Sequence, residues 1–219
     1  MNITLRQEIP NIKSINILLA ILFFQITLLT LTDYLLVEDS LYYDFWQNTL
    51  STERINALIE SAKRWKWVTF AAAPLLTLIK CFFVASCIYT GAIFNKTENS
   101  FADFFRITLV AEFIALLPAI FKILWFGLLN RDYGLQDLSY FSPTSLLSFT
   151  QPGEIDPWLV YPLHLINLFE LLYWLTLAFL LKDLVKRNFW GSLGFVASTY
   201  GVGLFIWMLV VTFLTLSIS

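Results

Sequence analysis

The chain of 219 residues contains one histidine, two cysteines and only 14% charged residues. A single histidine excludes bis-histidine haem ligation and disfavours a histidine-based zinc site. Cys81 and Cys87 lie within one apolar run, at a spacing typical of neither a CxxC redox motif nor a metal site. We therefore predict no metal and no cofactor, and we interpret both cysteines as small buried residues.

Motifs of the common catalytic and nucleotide-binding families are also absent. The sequence contains no GxSxG, HExxH, Walker A or GxGxxG pattern. The formal net charge is −2, without an RNP, zinc-finger or helix-turn-helix pattern, so no nucleic-acid partner is expected. We predict a protein that is not an enzyme and has no catalytic residues. An intramembrane enzyme with Glu112 and Glu170 as a carboxylate pair is the least favoured alternative.

Apolar residues dominate what is present. The composition is 58% hydrophobic and 17% aromatic, with a mean hydropathy of +0.70. A helix needs about 20 mostly apolar residues to cross the hydrocarbon core of a bilayer. The sequence predicts an all-α, polytopic transmembrane bundle of five helices, forming a single integral membrane domain over residues 1–219 in the lipid bilayer. The five predicted spans are residues 15–37, 68–94, 101–129, 158–181 and 191–216.

The distribution of basic residues predicts the orientation of the spans. Lysine and arginine near the ends of membrane helices favour the cytoplasmic side, and the effect is strongest on short loops. The short loop that contains Lys182, Lys186 and Arg187 is therefore predicted to lie inside. This places the N-terminus, with Arg6 and Lys13, inside and the C-terminus outside. We expect a multi-pass protein of a bacterial inner, or cytoplasmic, membrane.

The two long outer loops have helical signals of their own. In residues 51–65, Ile55, Leu58, Ile59 and Trp65 recur at helical spacing, which predicts an amphipathic interfacial helix in the first outer loop, serving as a membrane anchor or binding a partner. In the second loop, Ser142 and Pro143 predict the start of a short helix, which ends at 151–153.

Charged residues inside the spans fall into layers. Counted from the inner ends of their spans at 1.5 Å per residue, Lys80, Glu112 and Glu170 all lie at a depth of roughly 16–20 Å. An isolated charge at this depth costs about 3 kcal/mol or more, so we expect these groups to meet. Because two carboxylates face one ammonium, one glutamate is expected to carry a proton. Asn167 adds to the polar stripe of the fourth span.

A second layer is predicted nearer the outside. Asp33, Lys122 and His164 each lie near the outer end of a span, where Lys122 can extend to the interface. Pro74, Pro118 and Pro162 fall in the outer halves of three spans and are candidate kinks. The prolines either shape an outward-opening cleft, with the charged residues at its outer mouth, or reflect the ordinary frequency of proline in membrane helices.

The last span has no ionisable residue but is rich in small residues. Small residues four apart allow helices to approach closely. We predict a helix-packing face, within the bundle or against a partner, formed by Gly194, Ala197, Ser198 and Gly201.

Short segments of the third, fourth and fifth predicted spans carry a resemblance to known proteins. They are Ala111-Glu112, Leu117-Pro118, Lys122, Trp125-Phe126, Tyr161-Pro162-Leu163, residues 166–170 (INLFE) and residues 198–203 (STYGVG). These segments resemble the Yip1-like family of five-span membrane proteins, in particular its Bacteroidota-type bacterial members. The resemblance implies a scaffold or accessory membrane subunit.

Two functional hypotheses follow. The first is a non-enzymatic subunit or scaffold of a membrane complex, partnered by another membrane protein or by a second copy of the chain. The second is a transport component in which Glu112, Glu170 and Lys80 move protons or a polar solute, with Lys122 and His164 at the outer mouth.

Overall fold

A computed structural model describes residues 13–97, 99–142, 144–150 and 155–218. These residues form helices and loops without a strand, apart from an isolated antiparallel bridge between Ser145 and Asn167. The predicted all-helical architecture is confirmed. Arg6, Pro143 and the predicted helix end at 151–153 lie outside the described residues.

The helices differ widely in length. Their bounds are α1 (Ser14–Leu36), α2 (Asp39–Trp46), α3 (Thr52–Phe94), α4 (Phe101–Leu129), α5 (Leu135–Tyr140), α6 (Pro157–Leu165), α7 (Leu168–Leu181) and α8 (Phe189–Ser217). A 3-10 turn at Leu146–Phe149 precedes α6. Four of the helices, α1, α3, α4 and α8, are long and apolar enough to cross a membrane.

The prediction of a continuous span at 158–181 is wrong in one respect, because the helix is interrupted there. Helix α6 ends at Leu165 and α7 begins at Leu168. Ile166 between them adopts an extended conformation, with φ −80° and ψ 90°. The interruption leaves α7 with 14 residues, which is about 21 Å of helix and less than the thickness of a hydrocarbon core.

Residues 51–65 were predicted to form a separate amphipathic helix, but from Thr52 onwards they belong to a longer one. Helix α3 begins at Thr52 and continues without a break to Phe94. Ile55 and Ile59 are buried, whereas Trp65 is exposed. The periodicity therefore identified a helix with one packed face, but nothing in the sequence ends that helix before the apolar run.

The described chain divides into two compact units. The first comprises Met1–Ile21, Leu78–Ala115 and Thr144–Ser219. Its largest core combines residues of α3, α4, α7 and α8, including Ile88, Phe104, Leu177 and Val196. A smaller cluster surrounds the fully buried Cys81 with Ile17, Ile21 and Leu109.

The second unit comprises Leu22–Thr77 and Leu116–Pro143. Its core contains Leu36, Leu41, Phe126 and Leu138. The ring of Phe126 lies 4.7 Å from that of Tyr133 and 4.6 Å from that of Phe141, between centroids. Aromatic contacts of this kind pack together with the buried aliphatic side chains of this unit.

Large apolar side chains remain exposed along the long helices. Examples are Phe23 on α1, Leu76 on α3 and Phe213 on α8. Exposed apolar surface on this scale is unusual for a soluble monomer but is what lipid-facing helices present. The exposure pattern agrees with the length and hydropathy of the four membrane-crossing candidates.

Candidate polar site in the first unit

The centre of the candidate site is an ion pair between two helices of the first unit. Lys80 Nζ on α3 lies 2.9 Å from Glu112 Oε1 on α4. The Glu112 side chain is 5% exposed and that of Lys80 is 36% exposed. The ammonium group also lies 4.6 Å from the ring centroid of Tyr173. The pair therefore offsets two charges that would each be costly in an apolar environment.

Glu112 marks a change of helical winding. The α-helical part of α4 ends at Ala111, and Glu112–Leu116 forms a 3-10 segment before α-helix resumes at Leu117. Pro118 is at the start of that resumed α-helix and has no N–H to donate to the carbonyl four residues earlier. The tighter turn is a local response to this proline, and it begins at the glutamate.

A second glutamate is held by two aromatic donors. The Tyr200 hydroxyl donates to Glu170 Oε1 over 2.7 Å, and Trp174 Nε1 donates to the same oxygen over 2.8 Å. Hydrogen bonds to a carboxylate are among the stronger ones in proteins. Glu170 therefore accepts two hydrogen bonds, and it forms no salt bridge with any residue that the structure describes.

Tyr173 lies between the two glutamates. Its ring is 5.8 Å from that of Tyr200, between centroids, and its side chain is almost completely buried. Its ring also lies against the Lys80 ammonium group that pairs with Glu112. Within the described part of the chain, neither the Tyr173 hydroxyl nor Glu112 Oε2 has a hydrogen-bond partner of standard geometry. We define the polar cluster as Lys80, Glu112, Glu170, Tyr173, Trp174 and Tyr200.

Tyr200 lies in another irregular segment. Ala197–Gly201 is a π-helical turn inside α8. Such insertions widen a helix by one residue and occur frequently at functional sites, as do 3-10 segments in the middle of helices. Gly201 in the same turn packs against the Trp174 ring, where an added Cβ would lie 2.6 Å from Cη2. The same Trp174 side chain donates from its indole N–H to Glu170.

Asn167 has a different role from the stripe position predicted for it. Its side-chain oxygen accepts from the backbone N–H of Glu170 over 2.8 Å and so caps α7. Its amide nitrogen donates to the carbonyl oxygens of His164 and Leu165. The interruption is completed by Leu146, whose N–H donates to the Ile166 carbonyl oxygen, and by Leu168, whose N–H donates to that of Thr144. The backbone groups freed by the break are thus satisfied.

The three residues predicted for an outer mouth have separate surroundings. In the second unit, Asp33 pairs with Lys66, and Lys122 Nζ donates to the Leu138 carbonyl oxygen over 2.7 Å. His164 belongs to the first unit and has an exposed side chain. Each of these groups lies in a local contact or at the surface of its own unit.

The candidate kink and packing residues are distributed unevenly. Pro74 and Pro162 lie inside α3 and α6, while Pro118 lies at the winding change in α4. Two glycines of α8 are closely approached by other helices, namely Gly201 and Gly203, where an added Cβ would lie 2.6 Å from Cys87 Sγ. Gly194 faces open space instead. A four-residue spacing could not identify this difference, because it depends on which large side chain lies opposite.

Sequence reasoning missed the aromatic members of the polar cluster. Tyr173 and Trp174 lie three and four positions after Glu170, which places both near it on one helical face. Tyrosine and tryptophan buried in apolar surroundings usually find a polar partner, and this was the available signal. In the second unit, Gln25 on α1 and Thr77 on α3 form a similar polar contact, with Nε2 donating over 2.9 Å.

The described residues contain no group of three or more His, Cys, Asp or Glu side chains that could hold a metal ion. The fold and the site define a helical protein of the membrane class, with a buried polar cluster between helices. No family model, curated protein or solved structure matches the chain.

Proposed function

We propose that the protein is a non-enzymatic, multi-pass subunit or scaffold of a complex in a bacterial inner membrane. The observation that carries the proposal is the internal pairing of the charged groups. Lys80 is paired with Glu112, and Glu170 accepts from Tyr200 and Trp174, so the charges are engaged by the protein itself.

Internal pairing of this kind serves helix register. Sliding or rotating α3 against α4 would separate Lys80 from Glu112 and leave a buried carboxylate without its cation. The same applies to α7 and α8 through Glu170 and Tyr200. Polar contacts between membrane helices fix a unique arrangement where apolar surfaces alone would tolerate several. A fixed arrangement is the property that a scaffold needs.

We further propose five membrane crossings, with the N-terminus inside and the C-terminus outside. In this arrangement α6 and α7 together form one discontinuous crossing, and the first turns of α3 lie at the outer membrane surface. The satisfied backbone at Ile166 and Asn167 supports the proposal, because an interruption at membrane depth requires internal hydrogen bonds.

The orientation is tested by fusing a reporter to each end of the chain. Five crossings predict that alkaline phosphatase is active only at the C-terminus and that green fluorescent protein is bright only at the N-terminus. Identical behaviour at the two ends would establish an even number of crossings and refute the arrangement.

The scaffold proposal is tested by purification from the native host in mild detergent. We expect another membrane protein, or a second copy of this chain, to co-elute in fixed stoichiometry. The Glu170→Gln variant should retain that assembly, because the glutamine can still accept from Tyr200 and Trp174. A partner-free protein that transports a solute in vesicles would contradict the proposal.

Transport is the second candidate, and one observation favours it. Glu112 Oε2 and the Tyr173 hydroxyl oxygen are both buried and have no standard hydrogen bond among the described residues. In this proposal the cluster exchanges a proton. Vesicles containing a pH-sensitive dye would show a proton flux that Glu170→Gln and Glu112→Gln both abolish while the protein stays folded. Equal flux in wild type, variants and empty vesicles would exclude it.

A further inference from the structure

Two lysines of the first unit adopt a backbone conformation that usually belongs to glycine. Lys96 has φ 53° and Lys186 has φ 52°. Among the described residues only one other non-glycine residue, Thr144, has a positive φ. The left-handed region is unfavourable for a residue with a Cβ. Lysine at both of these positions is therefore unusual.

Both lysines occupy the same place in a helix-ending motif. After α3, the Thr97 N–H donates to the Ala92 carbonyl oxygen and the Lys96 N–H to that of Ile93. After α7, the Arg187 N–H donates to the Lys182 carbonyl oxygen across the same number of residues. These are Schellman-type ends, in which the left-handed position is usually glycine. Here each position presents an exposed ammonium group.

The two helix ends are held together by side chains. Arg187 Nη2 donates to Asn95 Oδ1 over 2.6 Å, and Asn99 Nδ2 donates to the Leu184 carbonyl oxygen over 2.8 Å. Lys96 is the chain neighbour of Asn95, and Lys186 is the chain neighbour of Arg187. The hydrogen bonds therefore bring the two lysines and the arginine to one end of the first unit.

Residues 95–103 and 182–190, which meet at this end, contain four cations and three acids. We define the basic rim as Lys96, Lys186 and Arg187, to which the half-buried Lys182 adds a fourth cation over the Phe179 ring. The rim residues form no ion pair within the described part of the chain. Of the three acids, Glu98 lies outside the described residues, Asp183 is exposed, and Asp103 accepts from the backbone and hydroxyl of Ser100.

The rim also adjoins the ends of apolar helices. Phe94, the last residue of α3, is 82% exposed, and Trp190, in the first turn of α8, is 74% exposed. Both helices are long and apolar enough to cross a membrane. Aromatic rings beside lysine and arginine are typical of the level at which lipid headgroups lie. A free phosphate would use the cations but would have no need of the rings.

We propose that the basic rim binds the phosphate-bearing headgroup of an anionic phospholipid. The two lysines supply positive charge at fixed positions, and Arg187 is held in place by its hydrogen bond to Asn95. Phe94 and Trp190 contact the acyl-chain side of the headgroup. The lipid is recognised by a phosphodiester and a net negative charge. The binding is independent of the scaffold and transport proposals, because none of its residues belongs to the polar cluster.

The test compares the full chain in phosphatidylcholine vesicles with and without phosphatidylglycerol, followed by native mass spectrometry of the retained lipid. The double variant Lys96→Asn/Lys186→Asn removes two charges, and asparagine tolerates the left-handed conformation. We expect phosphatidylglycerol retention to fall about fivefold for each lysine removed. Lys96→Arg/Lys186→Arg should retain it. Single asparagine variants provide the same comparison should the double variant fold poorly.

A matched control distinguishes a specific binding site from general electrostatic attraction between the protein and the anionic lipid. Arg54→Gln removes one exposed cation of α3 in the second unit and should leave retention unchanged. Equal retention by wild type and the double asparagine variant would overturn the proposal, as would an equal loss in Arg54→Gln. Displacement of the lipid by inorganic phosphate at physiological concentration would show a free-phosphate site instead.

Discussion

The molecule contains the same kind of ion pair in two very different settings. In the first unit, Lys80 and Glu112 join two helices, and the carboxylate is 5% exposed. In the second unit, Lys63 and Asp39 are 2.7 Å apart with 62% and 54% of their side chains exposed. The distances are nearly equal, so geometry alone does not distinguish the pairs. Their surroundings determine what each contributes.

The difference teaches where polar residues specify the fold. The two side chains of an exposed ion pair can separate and be solvated by water at little cost in free energy. A buried pair has no such alternative, so losing one member leaves an uncompensated charge. Three irregular helical features occur at the polar cluster: the 3-10 segment that starts at Glu112, the cap at Asn167 and the π turn that contains Tyr200. The exposed pairs lie on regular helices.

The largest expected effect is from Lys80→Met, which leaves Glu112 buried without its cation. We expect the free energy of unfolding in mild detergent to fall by about 3 kcal/mol. Adding Glu112→Gln should recover a large part of this loss, since the uncompensated charge is then removed. A double-mutant cycle measures the coupling, and additive effects would mean that the ion pair is not formed.

Gly201→Ala should have the next largest effect. The new Cβ would lie 2.6 Å from the Trp174 ring, which would have to move and release its hydrogen bond to Glu170. We expect a loss of about 2 kcal/mol, measured by thermal unfolding.

Gly194→Ala is the matched control, because its Cβ would meet open space. There the better helix propensity of alanine should leave stability unchanged or slightly higher. Equal destabilisation by the two substitutions would argue against the close contact at Gly201.

A smaller effect is expected for Tyr200→Phe, which removes one of the two donors to Glu170 Oε1. The loss should be about 1.5 kcal/mol, because Trp174 continues to donate to the same oxygen. Tyr161 provides the control, since its hydroxyl accepts from Trp207 and lies outside the polar cluster. If Tyr161→Phe destabilised as strongly as Tyr200→Phe, the carboxylate contact would not be special.

The smallest effect is expected for Lys63→Gln. Because the pair with Asp39 is mostly exposed, its loss should change the free energy of unfolding by less than about 0.5 kcal/mol. Raising the salt concentration should abolish even this difference. A loss comparable to that of Lys80→Met would erase the contrast between the two settings.

Part of the site could be predicted from the sequence by estimating how deep each charged residue lies in its span. Counting residues along each span placed Lys80, Glu112 and Glu170 at one level, and Lys80 and Glu112 form an ion pair there. Depth does not give the rotation of one helix about another, so it could not assign Glu170 to Tyr200 and Trp174. It also missed the break before Leu168, because the apolar run continues through Ile166 and the capping role of Asn167 depends on its backbone conformation.

The sequence by itself determined the class of protein and the apolar surroundings that its long helices require. Apolar content depends only on composition, and the length of each apolar run depends only on residue order. The tertiary structure decided which polar groups meet, where helices are interrupted and which glycines are approached closely. These outcomes depend on helix rotation and on the side chains opposite, which are set by packing between segments far apart in the chain. The ion pair of Lys80 with Glu112 required both: the positions of the two residues in their spans set a common depth, and packing brought the charges into contact.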